Sequence, residues 1–154
     1  MNPYVVIDIG GTSIKYGLAD AKGQLLETHE MPTEAQKGGP HILNTTKEIV
    51  ARYLKKHPLA GVAISSAGMV DPDKGEIFYA GPQIPNYAGT QFKKEIEETF
   101  QIPCEIENDV NCAGLAEVTT GHAKGSNNAV CLTIGTGIGG CLLLDGQVFH
   151  GFSN

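Results

Sequence analysis

Several common signatures are missing from this sequence. Its four cysteines form no CxxC pair and show no metal-ligand spacing with the five histidines, so we expect reduced thiols and no zinc motif. No apolar run is long enough to cross a membrane and no basic-then-apolar leader opens the chain, which predicts a cytoplasmic protein. The net charge of −6 argues against nucleic acid or an anionic membrane as a partner.

Two familiar nucleotide-binding motifs are also missing. No GxxxxGK[ST] segment occurs, which excludes a P-loop. Gly135, Gly137 and Gly140 match the spacing GxGxxG, but a dinucleotide site requires a helix directly after its glycines. The residues that follow, 141–146, instead indicate a strand and a hairpin turn, so the sequence predicts no Rossmann site.

The composition is that of a folded domain, with 41% hydrophobic and 18% charged residues. Residues 4–31 indicate three strands joined by short turns, an antiparallel meander whose first strand suits burial on both faces. Further along, the pattern predicts helices at 41–56 and 90–100 and strands at 59–65 and 103–107. We therefore expect an α/β domain with a mixed sheet, in which residues 71–89, rich in proline and glycine, form an irregular excursion.

Gly10, Gly11 and Thr12, here called the first glycine loop, join the first two strands. Glycine lets a backbone lie close to a ligand, and the threonine adds a hydroxyl. Asp8 lies inside the preceding apolar strand, where a buried carboxylate needs a partner. That partner is either a metal ion with its bound water or the N–H groups of a hairpin turn. Lys15 lies either on the solvated face of the hairpin or against a phosphate.

Gly135, Thr136 and Gly137, here called the second glycine loop, repeat the plan of strand, glycine turn with threonine, and strand. Each loop offers backbone N–H groups and a hydroxyl suited to phosphate oxygens. A single such turn is usually only a hairpin. Two of them in one α/β chain favour phosphate binding.

Asn108 and Asp109 lie where a predicted strand ends and a predicted helix begins. Asn and Asp are preferred helix N-caps, which is one interpretation of the pair. The other is catalytic, because phosphoryl transfer to an alcohol needs a carboxylate within reach of the attacking hydroxyl. Asp109 would be that base, with Asn108 holding a neighbouring hydroxyl, and the two interpretations are compatible.

Four motifs together carry a family resemblance over essentially the whole chain. They are Asp8-x-Gly10-Gly11-Thr12-x-x-Lys15, Ser66-Ala67-Gly68-x-Val70-Asp71, Asn108-Asp109-x-Asn111 and Gly135-Thr136-Gly137-x-Gly139-Gly140. In order and approximate spacing, they resemble the motifs of ROK-family sugar kinases such as glucokinases and β-glucoside kinases. The resemblance implies a ribonuclease H-like domain of the actin-like ATPase type.

The resemblance also implies roles for the matching residues, with ATP, Mg²⁺ and a sugar as ligands. Both glycine loops and Lys15 would contact the ATP phosphates, and Asp8 would lie near Mg²⁺. Asp109 would be the catalytic base. Residues in contact with the sugar would be Gly68, Asn86, Asn108 and Asp109. Many family members have Asn-Trp where this sequence has Asn86-Tyr87, and this difference bears on the sugar more than on the reaction.

In the family, a Glu-x-Gly-His element and a second lobe follow the position matched by Asn154. The resemblance therefore implies that residues 1–154 form an N-terminal kinase lobe, inactive by itself. Glucose or a β-glucoside is the expected substrate, with N-acetylmannosamine as a rival, and a homodimer is one expected assembly. The alternatives are a sugar-sensing regulator of the same family and an isolated lobe without catalysis.

Overall fold

The computed structural model describes residues 2–135 and 137–152. Its contacts divide the chain into unit 1, residues 1–107, and unit 2, residues 108–154. In chain order, the elements are β1 (Tyr4–Ile9), β2 (Ser13–Ala19), β3 (Leu25–Pro32), α1 (Gly39–Leu54), β4 (Gly61–Ser66), β5 (Met69–Asp71), β6 (Glu76–Tyr79), α2 (Phe92–Phe100), β7 (Cys104–Asn108), α3 (Asp109–Thr119), β8 (Ala129–Ile134), β9 (Ile138–Leu144) and β10 (Gln147–Val148).

A five-stranded mixed sheet in the order β3-β2-β1-β4-β7 forms the centre of unit 1. β1, β2 and β3 make the predicted antiparallel meander, and β4 joins β1 in parallel, as the helix-then-strand order predicts. The register places Asp8 between Lys15 on β2 and Ser65 on β4. The sheet thus sets the immediate neighbours of the first candidate site residue.

Burial along β1 alternates, which corrects the expectation that both faces would be buried. Val5, Ile7 and Ile9 are fully buried, whereas Tyr4 is exposed and Asp8 is half-buried. Because successive strand residues point to opposite faces, only one face of β1 lies in the core. The other face leaves the Asp8 carboxylate within reach of water.

Two helices bury their apolar sides in the core of unit 1. α1 begins with Pro40 in its first turn, where the missing N–H costs nothing, and buries one face along its length. The buried large side chains of that face are Ile42, Ile49, Val50 and Tyr53. α2 buries Phe92 and Ile96 in the same way. These burials match the spacing of apolar residues in the sequence.

Residues 71–89 are more regular than the sequence predicted. β5 and β6 form a short antiparallel hairpin, with Asp71 opposite Glu76 and Val70 opposite Ile77. Val70 and Ile77 are buried, so two apolar residues anchor a segment whose composition otherwise indicates loop. Only the part after β6 is an irregular connection, which runs to α2.

Unit 2 consists of α3 and a three-stranded antiparallel sheet in the order β10-β9-β8. One sheet face packs against α3, where a methyl on Gly114 would lie 2.7 Å from the Cys141 sulfur and 3.0 Å from Leu143. Six large aliphatic side chains of β8 and β9 are exposed: Val130, Leu132, Ile134, Ile138, Leu142 and Leu144. None of the helices in the described residues is long and apolar enough to cross a membrane.

Candidate functional site

The first glycine loop is held in place by Thr33, which follows β3. The Thr33 hydroxyl donates to the Gly10 carbonyl oxygen at 2.6 Å, and its backbone N–H donates to the Thr12 carbonyl oxygen at 3.0 Å. Gly10 N–H donates to the Ser13 carbonyl oxygen across the turn at 3.0 Å. Thr33 is only 1% exposed, so these bonds are shielded from water. A buried residue 23 positions away therefore fixes the loop conformation.

Asp8 lies two residues before this loop, and its carboxylate accepts a 2.8 Å hydrogen bond from the Ser65 hydroxyl. Among the described residues, no group of three or more His, Cys, Asp or Glu side chains could hold a metal ion. Mg²⁺ often uses one or two carboxylates together with substrate phosphates and waters. Asp8 suits such a site, in which the nucleotide supplies most of the ligands. The exposed Lys15 lies opposite Asp8 in the sheet.

Residues 66–68, here called the Ser66 turn, connect β4 to β5 beside the end of β1. Ala67 N–H donates to the Ile9 carbonyl oxygen at 3.0 Å, which ties this turn to the strand that leads into the first glycine loop. Gly68 has a φ of 94°, in the left-handed region where glycine is favoured. The conformation of the turn therefore accounts for a glycine at position 68, independently of any contact with a sugar.

Residues 80–91, here called the Asn86 loop, present Asn86 as an exposed residue with a left-handed φ of 53°. Its neighbour Tyr87 is 1% exposed, and the Tyr87 and Ser66 hydroxyl oxygens are 2.7 Å apart. This hydrogen bond joins the Asn86 loop to the Ser66 turn. Hydrogen bonds within unit 1 therefore connect the segments that contain four of the predicted site residues: Asp8, Gly10, Gly68 and Asn86.

Asn108 is the N-cap of α3, as one of the two interpretations predicted. Its side-chain oxygen accepts from the N–H groups of Val110 at 2.9 Å and Asn111 at 3.2 Å. Its amide donates to an oxygen of Asp109 at 2.9 Å. The exposed Asp109 carboxylate also accepts from the Val110 N–H at 2.9 Å. Asn108 is therefore the cap, while Asp109, the first residue of the helix, accepts from an N–H of the same first turn.

The second glycine loop joins β8 to β9, and a strand rather than a helix follows it, as the sequence predicted. Gly135 N–H donates to the Gly137 carbonyl oxygen at 2.9 Å, while Thr136 lies outside the described residues. Just beyond the loop, a methyl on Gly139 would lie 2.4 Å from a methyl of Val110. Close packing of Gly139 thus brings the first turn of α3, next to Asp109, against the strand after the loop.

Three of the four glycines in the two loops have open space around them without a left-handed φ. A methyl group added to Gly11, Gly135 or Gly137 would meet no atom within 4 Å, and none of the three has a left-handed φ. By contrast, a methyl on Gly17 in β2 would lie 1.9 Å from the Glu27 carbonyl oxygen. Internal packing therefore accounts for Gly17 but not for the three loop glycines. Close approach of a ligand to the backbone would account for them.

The β5–β6 hairpin and the strand β7 contain ionisable groups with perturbed pKa values. The Lys74 ammonium, 2.9 Å from the Asp71 carboxylate, donates to it and lowers the pKa of Asp71 in the β5–β6 hairpin. Burial raises the pKa of the Cys104 thiol in β7 to about 12, so this thiol is protonated at neutral pH. All four cysteines have free thiols, in agreement with their spacing.

Sequence reasoning missed three residues that hold the candidate site together. Thr33 and Ser65 act through contacts with Gly10 and Asp8, which are far from them along the chain. The sequence shows Tyr87 only as a difference from the family pattern, and its bond to Ser66 depends on how two loops fold. No local pattern marks Thr33 or Ser65. Tyr87 had a signal, since a tyrosine hydroxyl in an apolar surrounding usually finds a partner.

Comparison with known proteins gives a family and several relatives. A family model described as ROK family matches residues 4–153. A β-glucoside kinase of Klebsiella pneumoniae is 37% identical over 145 residues, which cover 94% of this chain and 47% of that protein. The chain spans about half the length of the curated relatives it matches.

Solved structures agree with this result. A ROK-family glucokinase from Streptomyces griseus, in complex with glucose and AMPPNP, superposes with a TM-score of 0.84 at 29% identity. The alignment covers 97% of this chain and 47% of that one. A ROK hexokinase from Thermus thermophilus gives a TM-score of 0.82 at 32% identity, with 97% and 49% covered. The mixed α/β fold is thus that of sugar kinases with the actin-like ATPase architecture.

Proposed function

The chain belongs to the ROK family, and from that premise we propose that it is the N-terminal lobe of an ATP-dependent sugar kinase. The reaction would move the γ-phosphoryl group of ATP to a hydroxyl group of a hexose. Because the chain spans about half of its relatives, the activity is proposed for a longer protein that contains these residues. Residues 1–154 alone are expected to be inactive.

The observation that carries the proposal is the open space around the loop glycines. Gly11, Gly135 and Gly137 expose backbone that no internal packing or left-handed φ explains. Such exposed backbone is suited to phosphate, because the N–H groups of a glycine turn can bind anionic oxygens with no side chain in the way. We assign the first and second glycine loops to the phosphates of ATP, with Thr12 and Thr136 as hydroxyl donors and Lys15 as a charged contact.

Asp109 is the candidate base. Its carboxylate is exposed at the first residue of α3, and Asn108 and the Val110 N–H hold one of its oxygens in place. In the proposed step, the sugar oxygen forms a bond to the γ-phosphorus while the bond from that phosphorus to the bridging oxygen of ADP breaks. Asp109 accepts the hydroxyl proton.

Asp8 is the candidate residue for the metal region. Its oxygen, oriented by the Ser65 hydroxyl at 2.8 Å, would hold Mg²⁺ directly or through a bound water. The ion would neutralise charge on the phosphates when bound. The chain's own contribution is to fix the Asp8 carboxylate at the end of β1, two residues before the first glycine loop.

Gly68, Asn86 and Asn108 are the proposed sugar contacts, together with Asp109. Glucose and β-glucosides are the first substrates to test, since the relatives include a β-glucoside kinase and a glucokinase solved with glucose. N-acetylmannosamine is the rival. The cytoplasm, where ATP is available, is the proposed location and agrees with the four free cysteines. A homodimer is the proposed assembly.

A coupled assay for ADP release tests this function. It is run with Mg-ATP and a panel of hexoses, glucosides and N-acetylmannosamine, on residues 1–154 and on the longest chain that their reading frame encodes. We expect sugar-dependent ADP release from the longer chain and none from residues 1–154. Asp145→Asn serves as the control for Asp109→Asn in the same assay. Asp145 lies in a turn with a left-handed φ that asparagine also adopts, so this replacement should leave ADP release unchanged. A folded longer chain that binds sugar but never releases ADP would contradict the kinase and favour a sugar sensor.

A further inference from the structure

Tyr87 is a polar side chain that is almost completely buried next to Asn86, one of the candidate sugar contacts. It is 1% exposed, and its ring meets the Phe92 ring edge-on, with centroids 6.0 Å apart at 77°. Its hydroxyl lies 2.7 Å from the Ser66 hydroxyl oxygen, and Ser66 is 0% exposed. The two hydroxyls thus form a hydrogen bond that is shielded from water. Removing one of the two hydroxyls costs stability, because the remaining hydroxyl stays buried with neither this bond nor water to replace it.

The Asn86 loop is anchored on both sides of Asn86. On one side, Gly39 N–H donates to the Pro85 carbonyl oxygen at 2.9 Å. On the other, the Thr90 hydroxyl donates to the Tyr87 carbonyl oxygen at 2.6 Å, and Thr90 is 9% exposed. Asn86 remains exposed between these anchors with its left-handed φ of 53°. The loop therefore holds Asn86 in one defined conformation.

The other partner of the bond, Ser66, ends β4 and begins the Ser66 turn. The Ser66 hydroxyl is also 2.9 Å from the Ala67 carbonyl oxygen, and Ala67 N–H donates to the Ile9 carbonyl oxygen. A single side chain thus connects Tyr87 to the backbone of this turn. Gly68, the next residue, has a left-handed φ, and a methyl on it would lie 3.0 Å from the Tyr79 carbonyl oxygen. The turn has little freedom to move independently.

We propose that Tyr87 is a positioning residue for the sugar: its hydroxyl bond to Ser66 fixes the Asn86 loop relative to the Ser66 turn. This inference rests on the proposed function, in which Asn86 and Gly68 contact the sugar. Tyr87 itself is buried and touches no substrate. It acts by fixing the distance between the Asn86 loop and the Ser66 turn, which contact different parts of one small ligand. A small change in that distance weakens binding strongly.

The first test measures amide hydrogen exchange in residues 1–154, which requires no kinase activity. Tyr87→Phe keeps the ring and removes only the hydroxyl. We expect the Ala67 and Gly68 amides to exchange about fivefold faster in this variant, the effect of losing one ordinary hydrogen bond. Ser66→Ala removes the same bond from its other end, together with the bond to the Ala67 carbonyl oxygen, so it should give at least the same increase. Adding Tyr87→Phe to Ser66→Ala should then give no further increase.

Tyr53→Phe is the matched control, because Tyr53 is another buried tyrosine, 3% exposed, and lies in α1. It should leave exchange in the Ser66 turn unchanged. Unchanged exchange in Tyr87→Phe, or an equal increase in Tyr53→Phe, would overturn the proposed connection between the two loops.

The second test measures sugar binding and turnover in the longest chain. Tyr87→Phe should raise the KM and the equilibrium Kd for the sugar about threefold to tenfold, with kcat and the KM for ATP changed less than about twofold. If the unmodified chain binds no sugar, the proposed function fails. If it binds sugar and releases ADP, and Tyr87→Phe binds the sugar equally well, the function stands and the role of Tyr87 is refuted.

Discussion

Alanine at the glycine loops separates a ligand-binding role from a structural one. We consider Gly11→Ala in the first glycine loop and Gly137→Ala in the second, with Gly17→Ala in β2 as the matched control. The new methyl at Gly11 or Gly137 enters open space, whereas at Gly17 it would lie 1.9 Å from the Glu27 carbonyl oxygen and 2.9 Å from its carbon. The added methyl group is thus surrounded by open space at Gly11 and Gly137 but clashes with backbone atoms at Gly17.

The expected magnitudes follow from these surroundings. At Gly11 and Gly137 nothing is displaced and φ is not left-handed, so the free energy of unfolding should stay constant or rise by up to about 1 kcal/mol, because alanine restricts the unfolded chain. At Gly17 the methyl must push β3 away from β2, which should cost about 1–3 kcal/mol or more. If the proposed function holds, the methyl at Gly11 should raise the KM for ATP of the longest chain about tenfold, equivalent to about 1.4 kcal/mol of binding.

Urea unfolding of residues 1–154, followed by circular dichroism, measures the first quantity, and ADP-release kinetics on the longest chain measure the second. A structural role for Gly11 would be shown instead if Gly11→Ala lowers the free energy of unfolding by more than about 1 kcal/mol, the scale of an ordinary destabilising substitution. An unchanged KM for ATP in both loop variants would refute the ligand-binding role, since the glycines would then serve no ligand.

Three other predictions each concern a single residue. Thr33→Val removes the hydroxyl bonded to Gly10 without changing side-chain volume and should lower the free energy of unfolding by about 1–2 kcal/mol in urea titrations. Thr46→Val should cost less, because the buried Thr46 hydroxyl bonds a carbonyl within helix α1; equal losses would contradict the special role of Thr33. Asn108→Ala removes the α3 cap and should lower the free energy of unfolding by about 1 kcal/mol in the same assay, and no change would contradict the cap. The raised pKa of Cys104 predicts that stability falls as pH rises from about 9, where the unfolded thiol ionises, toward about 12, and that Cys104→Ala reduces this alkaline loss; an identical pH profile in urea titrations would contradict it.

The sequence predicted those features that depend on local pattern. The apolar run before Gly10, the glycine turn and the strand after it indicate a hairpin without reference to the rest of the chain, and the structure has it. The same holds for the second glycine loop, which is followed by the strand β9, as predicted. The buried face of α1 follows from apolar spacing alone.

Features that depend on distant contacts were not predictable in this way. β5 and β6 are three and four residues long, and their pairing relies on burying Val70 and Ile77 in a core built by other elements. The anchoring of Gly10 by Thr33 spans 23 residues of chain. The division of the contacts at residues 107 and 108 falls at the end of a strand, where the sequence shows no linker.

The most direct test of the central claim is turnover by Asp109→Asn in the longest chain that the reading frame encodes. Asparagine keeps an oxygen for the Val110 N–H and loses only the charge at the start of α3, worth about 0.3–1 kcal/mol, so melting should fall by at most about 4 °C. We expect sugar-dependent ADP release to be lost while glucose and Mg-ATP still bind. Turnover equal to that of the unmodified chain would show that Asp109 is not the base.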